Sequence, residues 1–142
     1  MARIVGDVIG SSPLTDEQLI AIVDDDAAVV EATKELVETM GFRIEAFGSA
    51  KAFLESETVA TAACLILDVQ MPEIDGLQLR RRLVCANRDI PTIFITGLPN
   101  ERISGRARKE GAVACLRKPF SRGELLRCIQ LALGDGENDV GS

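Results

Sequence analysis

The sequence predicts an α/β fold built on a doubly wound, five-stranded parallel sheet. Two observations carry this prediction: five short apolar runs, and a helical pattern after each of them. The runs at 19–23, 64–67 and 92–95 are apolar without alternation, which is typical of strands that are buried on both faces. The runs at 43–47 and 112–116 complete the five strands. Strands that alternate with helices form parallel sheets whose two faces are covered by those helices.

The five helices are predicted from apolar spacing and from residues that begin or end a helix. Residues 27–40 repeat apolar side chains at spacings of three and four, and Gly41 suits the turn that ends such a helix. Ser121 and Glu124 have the spacing of a capping box for the last helix, which Gly134 closes. Three other residues are expected to begin helices that extend to about residues 56, 86 and 110: Ser49, Asp75 and Pro99.

The length of 142 residues predicts a single domain at 19–134, with an N-terminal extension at 1–18 and a polar tail at 135–142. The eight residues of the tail are too few for a helix-turn-helix output domain. No apolar run approaches the roughly 20 residues of a membrane helix. The beginning of the chain is a poor secretory signal, so the sequence predicts a cytosolic protein that does not bind membranes.

Composition argues against several classes of function. The net charge is −6 and the chain has neither Trp nor Tyr, so direct nucleic-acid binding is not expected. The short basic run Arg80–Arg82 is interpreted as a solvated helix face. The absence of His excludes Ser-His and Cys-His catalysis. The four cysteines form no CxxC pair, which argues against a zinc site and favours reduced, buried side chains.

Polar residues follow four of the five predicted strands at the point where each strand ends. They are Asp24 and Asp25 after the first strand, Asp68 after the third, Thr96 after the fourth and Lys118 after the fifth. In open parallel sheets, ligands bind outside the carboxyl ends of the strands, near the point where the strand order reverses. We therefore expect these five side chains to form one site.

The charges of this group favour a divalent cation. Three carboxylates against one ammonium leave a net charge of about −2, and close carboxylates raise one another's pKa unless something neutralises them. Oxygen ligands suit Mg²⁺, which keeps several of its waters and binds near phosphate. Taken alone, the acidic triplet 24–26 has an equally good interpretation as a helix N-cap. Its coincidence with polar residues at three other strand ends favours the metal site.

Four segments in order resemble the receiver domains of two-component response regulators, in the FixJ-type motif style. They are IAIVDDD (20–26), LILDVQMPEIDG (65–76), IFITG (93–97) and LRKPF (116–120), and the resemblance covers residues 19–133. It implies a flavodoxin-like (βα)5 fold with strand order 2-1-3-4-5. It also implies that Asp68 is the phosphoryl acceptor, that Thr96 and Lys118 contact the phosphoryl oxygens, and that the Lys118–Pro119 peptide bond is cis. The implied ligands of Mg²⁺ are Asp25 and Asp68, Asp24 through water, and the backbone carbonyl of Gln70.

The resemblance implies a regulatory switch, not an enzyme acting on other substrates. Its partners would be a sensor histidine kinase or a phosphotransfer protein. The output would be a downstream protein or a second copy, bound through the fourth helix, fifth strand and fifth helix. Relatives commonly carry an aromatic residue or His three positions before the Lys, where this chain has Cys115. We expect Cys115 to be a buried strand residue, with the response running mainly through Thr96.

Two alternatives remain open from the sequence alone. A haloacid-dehalogenase-type phosphatase also uses an Asp nucleophile and Mg²⁺, but it needs a second Asp two residues after the nucleophile. Residues 68–70 lack that Asp, whereas the triplet 24–26 formally contains it. The other alternative is an interaction domain that works without phosphorylation, which would not bind Mg²⁺.

Overall fold

A computed structural model describes residues 18–71, 74–97 and 101–134. Five parallel strands form one sheet in the order β2-β1-β3-β4-β5, which confirms the predicted fold class and strand order. The predictions for residues 1–17, Pro99 and 135–142 lie outside the described residues. The strands are β1 (Leu19–Val23), β2 (Arg43–Phe47), β3 (Cys64–Asp68), β4 (Thr92–Thr96) and β5 (Ala114–Arg117).

All five predicted helices are present, and one short helix was not predicted. The additional helix is α3, which has four residues and no side-chain cap. Its Thr58 hydroxyl donates a hydrogen bond to the carboxylate of Glu45 on β2, a tertiary contact that sequence periodicity does not reveal. The helices are α1 (Ala27–Thr39), α2 (Ala50–Leu54), α3 (Thr58–Thr61), α4 (Gly76–Cys85), α5 (Glu101–Lys109) and α6 (Arg122–Ala132).

The helix ends follow the signals in the sequence. Asp75 and Ser121 both form complete capping boxes, at α4 and α6. Gly41 and Gly134 follow α1 and α6 with φ of 91° and 90°, a backbone conformation that glycine adopts without steric cost. β5 begins at Ala114, two residues after the start of the apolar run at 112–116. The Ala112 N–H still donates to Ala107 O at the end of α5, so this residue belongs to the preceding turn.

The sheet is buried on both faces because side chains alternate across each strand. One face contributes Leu65, Leu67 and Phe94 to a core shared with α2, α4 and α5. The other face contributes Ile20 and Ile66 to a core shared with α1 and α6. Strands β1, β3 and β4 are fully buried, as the continuous apolar runs predicted, and the edge strands β2 and β5 are partly exposed.

The basic run on α4 differs from its interpretation as a solvated face. Arg81 and Arg82 are exposed, but Arg80 is only 4 % exposed, so the prediction is wrong for this residue. The Arg80 guanidinium donates from Nη1 to Ile90 O at 2.7 Å and from Nε to Glu110 O at 2.9 Å. Backbone carbonyls from two other segments therefore provide the acceptors that make burial of this charge tolerable.

Candidate functional site

The site is formed where β1 and β3, neighbours at the centre of the sheet, end together. Val23 pairs with Leu67, so the residues that follow, Asp24 and Asp68, leave the sheet side by side. On the other side of β3, Asp68 pairs with Ile95, the residue before Thr96. Parallel pairing in this register therefore brings residues from distant parts of the sequence to one edge.

Three carboxylates are clustered at this edge. Asp24 and Asp68 are 1 % and 4 % exposed, whereas Asp25 is exposed. One oxygen from each of the three side chains lies within 4.8 Å of the others. The structure therefore brings together the three acidic residues that the sequence analysis placed in one site.

The third member of the acidic triplet has a different position. Asp26 Oδ1 accepts hydrogen bonds from the Ala28 and Val29 N–H groups, at 3.0 and 3.4 Å, and so caps α1. Asp24 Oδ1 accepts the Asp26 N–H at 2.9 Å. The N-cap interpretation of the triplet is thus correct for Asp26, and this bond holds Asp24 in place at the edge of the sheet.

Lys118 supplies the positive charge of the site. Its Nζ lies 3.0 Å from Asp24 Oδ2 and 3.4 Å from Asp68 Oδ1. Its backbone N–H donates to Thr96 O at 2.8 Å, and the following bond to Pro119 is cis, as the resemblance implied. Partial burial lowers the pKa of Lys118, but the hydrogen bond to Asp24 and the charges of Asp68 and Asp24 outweigh it, so the pKa is raised. Lys118 is therefore a permanent cation at neutral pH.

The acidic groups still exceed the basic ones. Burial and the charge of Asp24 raise the pKa of Asp68 to about 6, although the Lys118 ammonium and a hydrogen bond from the Gln70 N–H oppose that change. The ionised form of Asp68 is therefore costly in the folded protein, first because the carboxylate is buried and second because Asp24 carries the same charge. A further cation at this edge would remove that cost.

The donor set fits a hard divalent cation. Asp24 Oδ2 is buried, and among the described residues the polar group that faces it is the Lys118 ammonium, at 3.0 Å. A carboxylate oxygen can accept more than one such contact, so Asp24 Oδ2 can also accept a hydrogen bond from a metal-bound water. Together the carboxylates of Asp24, Asp25 and Asp68 give the oxygen-rich environment that Mg²⁺ prefers.

The remaining predicted residues lie around this cluster. Thr96 is 1 % exposed at the end of β4, and the exposed Gly97 after it leaves open space where a side chain would be. Cys115 is half-buried and not fully buried as expected, because it lines a cavity of about 240 Å³ between α5 and β5. Burial raises the pKa of the Cys115 thiol, and a hydrogen bond with Ser104 opposes that effect. The thiol is therefore in its neutral, weakly nucleophilic form.

The chain belongs to the response regulator receiver domain family, whose model matches residues 20–130. It is 43 % identical over 126 residues to the response regulator protein TmoT of Ectopseudomonas mendocina, covering 88 % of this chain and 57 % of that protein. It is 44 % identical over 115 residues to the response regulator protein TodT of Pseudomonas putida, covering 81 % of this chain and 51 % of that protein. The chain thus spans little more than half the length of these curated relatives.

Solved structures agree with this assignment. The response regulator StyR superimposes with a TM-score of 0.77 at 34 % identity, covering 88 % of this chain and 64 % of that one. FixJ-N superimposes with a TM-score of 0.74 at 30 % identity, covering 82 % of this chain and 94 % of that one. The haloacid-dehalogenase-type alternative is not supported by these comparisons. Among the described helices, none has both the length and the apolar character needed to cross a membrane.

Proposed function

We propose that Asp68 is the phosphoryl acceptor of this receiver domain and that a histidine kinase or a phosphotransfer protein is the donor. The observation that carries the proposal is the placement of the Asp68 carboxylate at the end of β3, with Lys118 Nζ 3.4 Å from its Oδ1. Asp24 and Asp25 lie within reach of the same point. Phosphoryl transfer requires a positioned nucleophile and stabilisation of negative charge. This edge of the sheet supplies a nucleophile, a fixed cation and further carboxylates that can hold a metal ion.

The chemistry requires no general base from the protein. A carboxylate oxygen of Asp68 attacks the phosphorus of phosphohistidine, the new bond is an acyl phosphate, and the P–N bond breaks. The electrons of that bond remain on the imidazole nitrogen of the donor, which takes up a proton as it leaves. The Lys118 ammonium stabilises charge on the phosphoryl oxygens, and the Thr96 hydroxyl supplies a hydrogen bond. The chain therefore needs no His of its own to accept the phosphoryl group from a phosphohistidine donor.

The metal expected at this site is Mg²⁺. Asp25 and Asp68 would bind it directly, Asp24 through water, and the Gln70 backbone carbonyl would complete the protein ligands. When bound, the ion neutralises charge that develops on the phosphoryl oxygens. Burial and the like charge of Asp24 both raise the pKa of Asp68, and a cation bound there would stabilise the ionised carboxylate against both effects.

The output surface is proposed to consist of α5, β5 and α6, which are the fourth helix, fifth strand and fifth helix of the sequence prediction. The N–H of Lys118, directly after β5, donates to Thr96 O, so displacement of Thr96 has a short path to this surface. Residues 101–132, which span this surface, carry eight basic and three acidic residues, in a chain whose net charge is −6. Such a concentration of positive charge favours salt-sensitive association with an acidic downstream protein or an acidic face of a second copy.

Phosphorylation by acetyl phosphate in the presence of Mg²⁺ tests the proposal. Intact-mass analysis is expected to show the addition of one phosphoryl group to the wild-type protein and none to Asp68→Ala. Asp25→Ala is expected to abolish Mg²⁺-dependent phosphorylation, whereas Asp26→Ala, which changes the adjacent N-cap residue, is expected to retain it. Addition of a phosphoryl group to Asp68→Ala would refute the acceptor assignment. An unchanged Mg²⁺ titration of Asp25→Ala would refute its role as a ligand.

A further inference from the structure

The first residue of α4 lies directly against the backbone of the strand that carries Asp68. Gly76 is buried, and its N–H donates to Val69 O at 2.9 Å. A Cβ atom at this position would lie 2.3 Å from Asp68 O, 3.0 Å from Asp68 C and 3.1 Å from Val69 Cα. Real Cβ atoms do not approach other heavy atoms as closely as 2.3 Å. Any side chain at residue 76 therefore requires the backbone at 68–69 or the start of α4 to move.

The requirement is one of space and not of backbone conformation. Gly41, Gly111 and Gly134 have a positive φ, but Gly76 does not. A side chain at Gly105, within α5, would instead meet no atom within 4 Å. Among the described glycines, Gly76 is thus the one at which an added Cβ atom would lie closer than 3.0 Å to another heavy atom.

Both sides of this contact are held firmly. On the strand side, the Val69 N–H donates to Ile95 O at 3.0 Å. On the helix side, the capping box of Asp75 and the burial of Leu77 fix the start of α4. Since the start of α4 is held as firmly as the strand, α4 alone cannot absorb an added methyl group, and the backbone of residues 68–69 would be displaced as well.

We propose that Gly76 is a positioning residue for the phosphoryl acceptor, an inference that rests on the proposed function of Asp68. Because Gly76 has no side chain, α4 can pack directly against residues 68–69. This packing determines where the Asp68 carboxylate lies relative to Lys118 Nζ and Asp24. The contacts within the site are 3.0–3.4 Å long, so a backbone shift of about 1 Å at Asp68 is large on this scale.

The test compares Gly76→Ala with Gly105→Ala, a glycine-to-alanine change in open space. Phosphorylation is measured with saturating acetyl phosphate, so that the rate is separated from donor binding, and Mg²⁺ affinity is measured by NMR titration. We expect Gly76→Ala to be phosphorylated about 10- to 100-fold more slowly and to bind Mg²⁺ more weakly. Gly105→Ala is expected to behave as the wild type. A rate for Gly76→Ala within twofold of the Gly105→Ala rate would overturn the proposal.

Two further variants separate positioning from general stability. Leu77→Val removes a buried methylene beside Gly76 without adding an atom to the contact, and it is expected to lower the melting temperature but keep the phosphorylation rate. An equal loss of rate in Leu77→Val would mean that loosening α4 is sufficient, and it would also overturn the proposal. If Gly76→Ala is too unstable to purify, the double variant with Gly105→Ala supplies a stabilised background, because alanine favours the helix.

The same titration distinguishes this proposal from the proposed function. If the wild-type protein gains no phosphoryl group at all, the acceptor assignment of Asp68 fails. Positioning by Gly76 is then judged from the metal-binding arm alone. In that arm, Gly76→Ala is expected to shift the amide signals of Asp68 and Val69 and to weaken the Mg²⁺ response. Unchanged amide signals and an unchanged Mg²⁺ response would overturn it.

Discussion

Replacement of Arg80 by Met is expected to destabilise the fold strongly, although Arg80 lies in a run of three arginines on one helix. Its guanidinium joins α4 to the residues before β4 and to the end of α5. It donates to Ile90 O at 2.7 Å, to Glu110 O at 2.9 Å, and more weakly to Thr92 Oγ1 and Gly111 O, both at 3.4 Å. Methionine has a similar length and fills similar space but donates no hydrogen bond.

The magnitude follows from the acceptors that would lose their donor. A hydrogen bond to a charged donor is worth about 1.5–3 kcal/mol, and two carbonyls lose such a bond in this variant. Ile90 O keeps a second hydrogen bond, from the Thr92 hydroxyl at 2.8 Å, so the larger loss falls on Glu110 O. The ion pair of Arg80 with Asp89 contributes little, because the Asp89 side chain is 72 % exposed. Apolar burial of the Met side chain offsets part of the loss. We therefore expect the free energy of unfolding to fall by about 2–4 kcal/mol.

Urea denaturation followed by circular dichroism measures this change, with Arg82→Met as the matched control. Arg82 is exposed and lies on the same helix, so its replacement is expected to change the free energy of unfolding by less than about 0.5 kcal/mol. Amide hydrogen exchange of Gly111 and Ala112 is expected to accelerate in Arg80→Met alone, because the end of α5 loses its attachment to α4. Equal effects of the two substitutions would refute the structural role assigned to Arg80.

Two further predictions concern the site and its output. In metal-free buffer, Asp68→Asn is expected to be more stable than the wild type above pH 7 by about 1–3 kcal/mol, because burial and Asp24 raise the pKa of Asp68 to about 6 from 3.8. The folded protein holds this proton more tightly than the unfolded chain, so the Asp68 contribution to stability falls as pH rises from about 4 through 6. The difference in the free energy of unfolding between Asp68→Asn and the wild type should therefore vanish near pH 4. A difference in denaturation midpoints that does not change with pH would contradict this reasoning. Beryllofluoride, a mimic of the phosphoryl group, is expected to shift backbone amide signals on α5 and β5, and changes confined to the neighbourhood of Asp68 would exclude that surface as the output.

Much of the candidate site could be predicted because its residues follow strands. Asp24, Asp68 and Thr96 each come directly after a continuous apolar run, and the carboxyl ends of parallel strands meet at one edge. The sequence did not decide which residue of the acidic triplet caps α1 and which residues belong to the site. The cap is the residue whose carboxylate faces the N–H groups of α1, and in the structure this is Asp26.

Three features depended on contacts between segments far apart in the sequence. Helix α3 is only four residues long, so periodicity gives no signal for it, and its Thr58 contacts Glu45 on another element. Cys115 is half-buried because α5 leaves a cavity above β5. Gly76 stands in a turn-like segment where glycine is ordinary, and only the distance to Asp68 O distinguishes it.

The sequence by itself determined the five-stranded parallel sheet, the helix caps and the identity of the residues at the strand ends. These features depend on alternation, apolar runs and local capping, which are properties of neighbouring residues. Only the tertiary structure decided that Arg80 is buried while Arg81 and Arg82 are exposed. Three identical side chains in succession carry the same local signal. Their different environments arise because a helix turns each one about 100° from the last, and only one of those directions meets carbonyl groups from other segments.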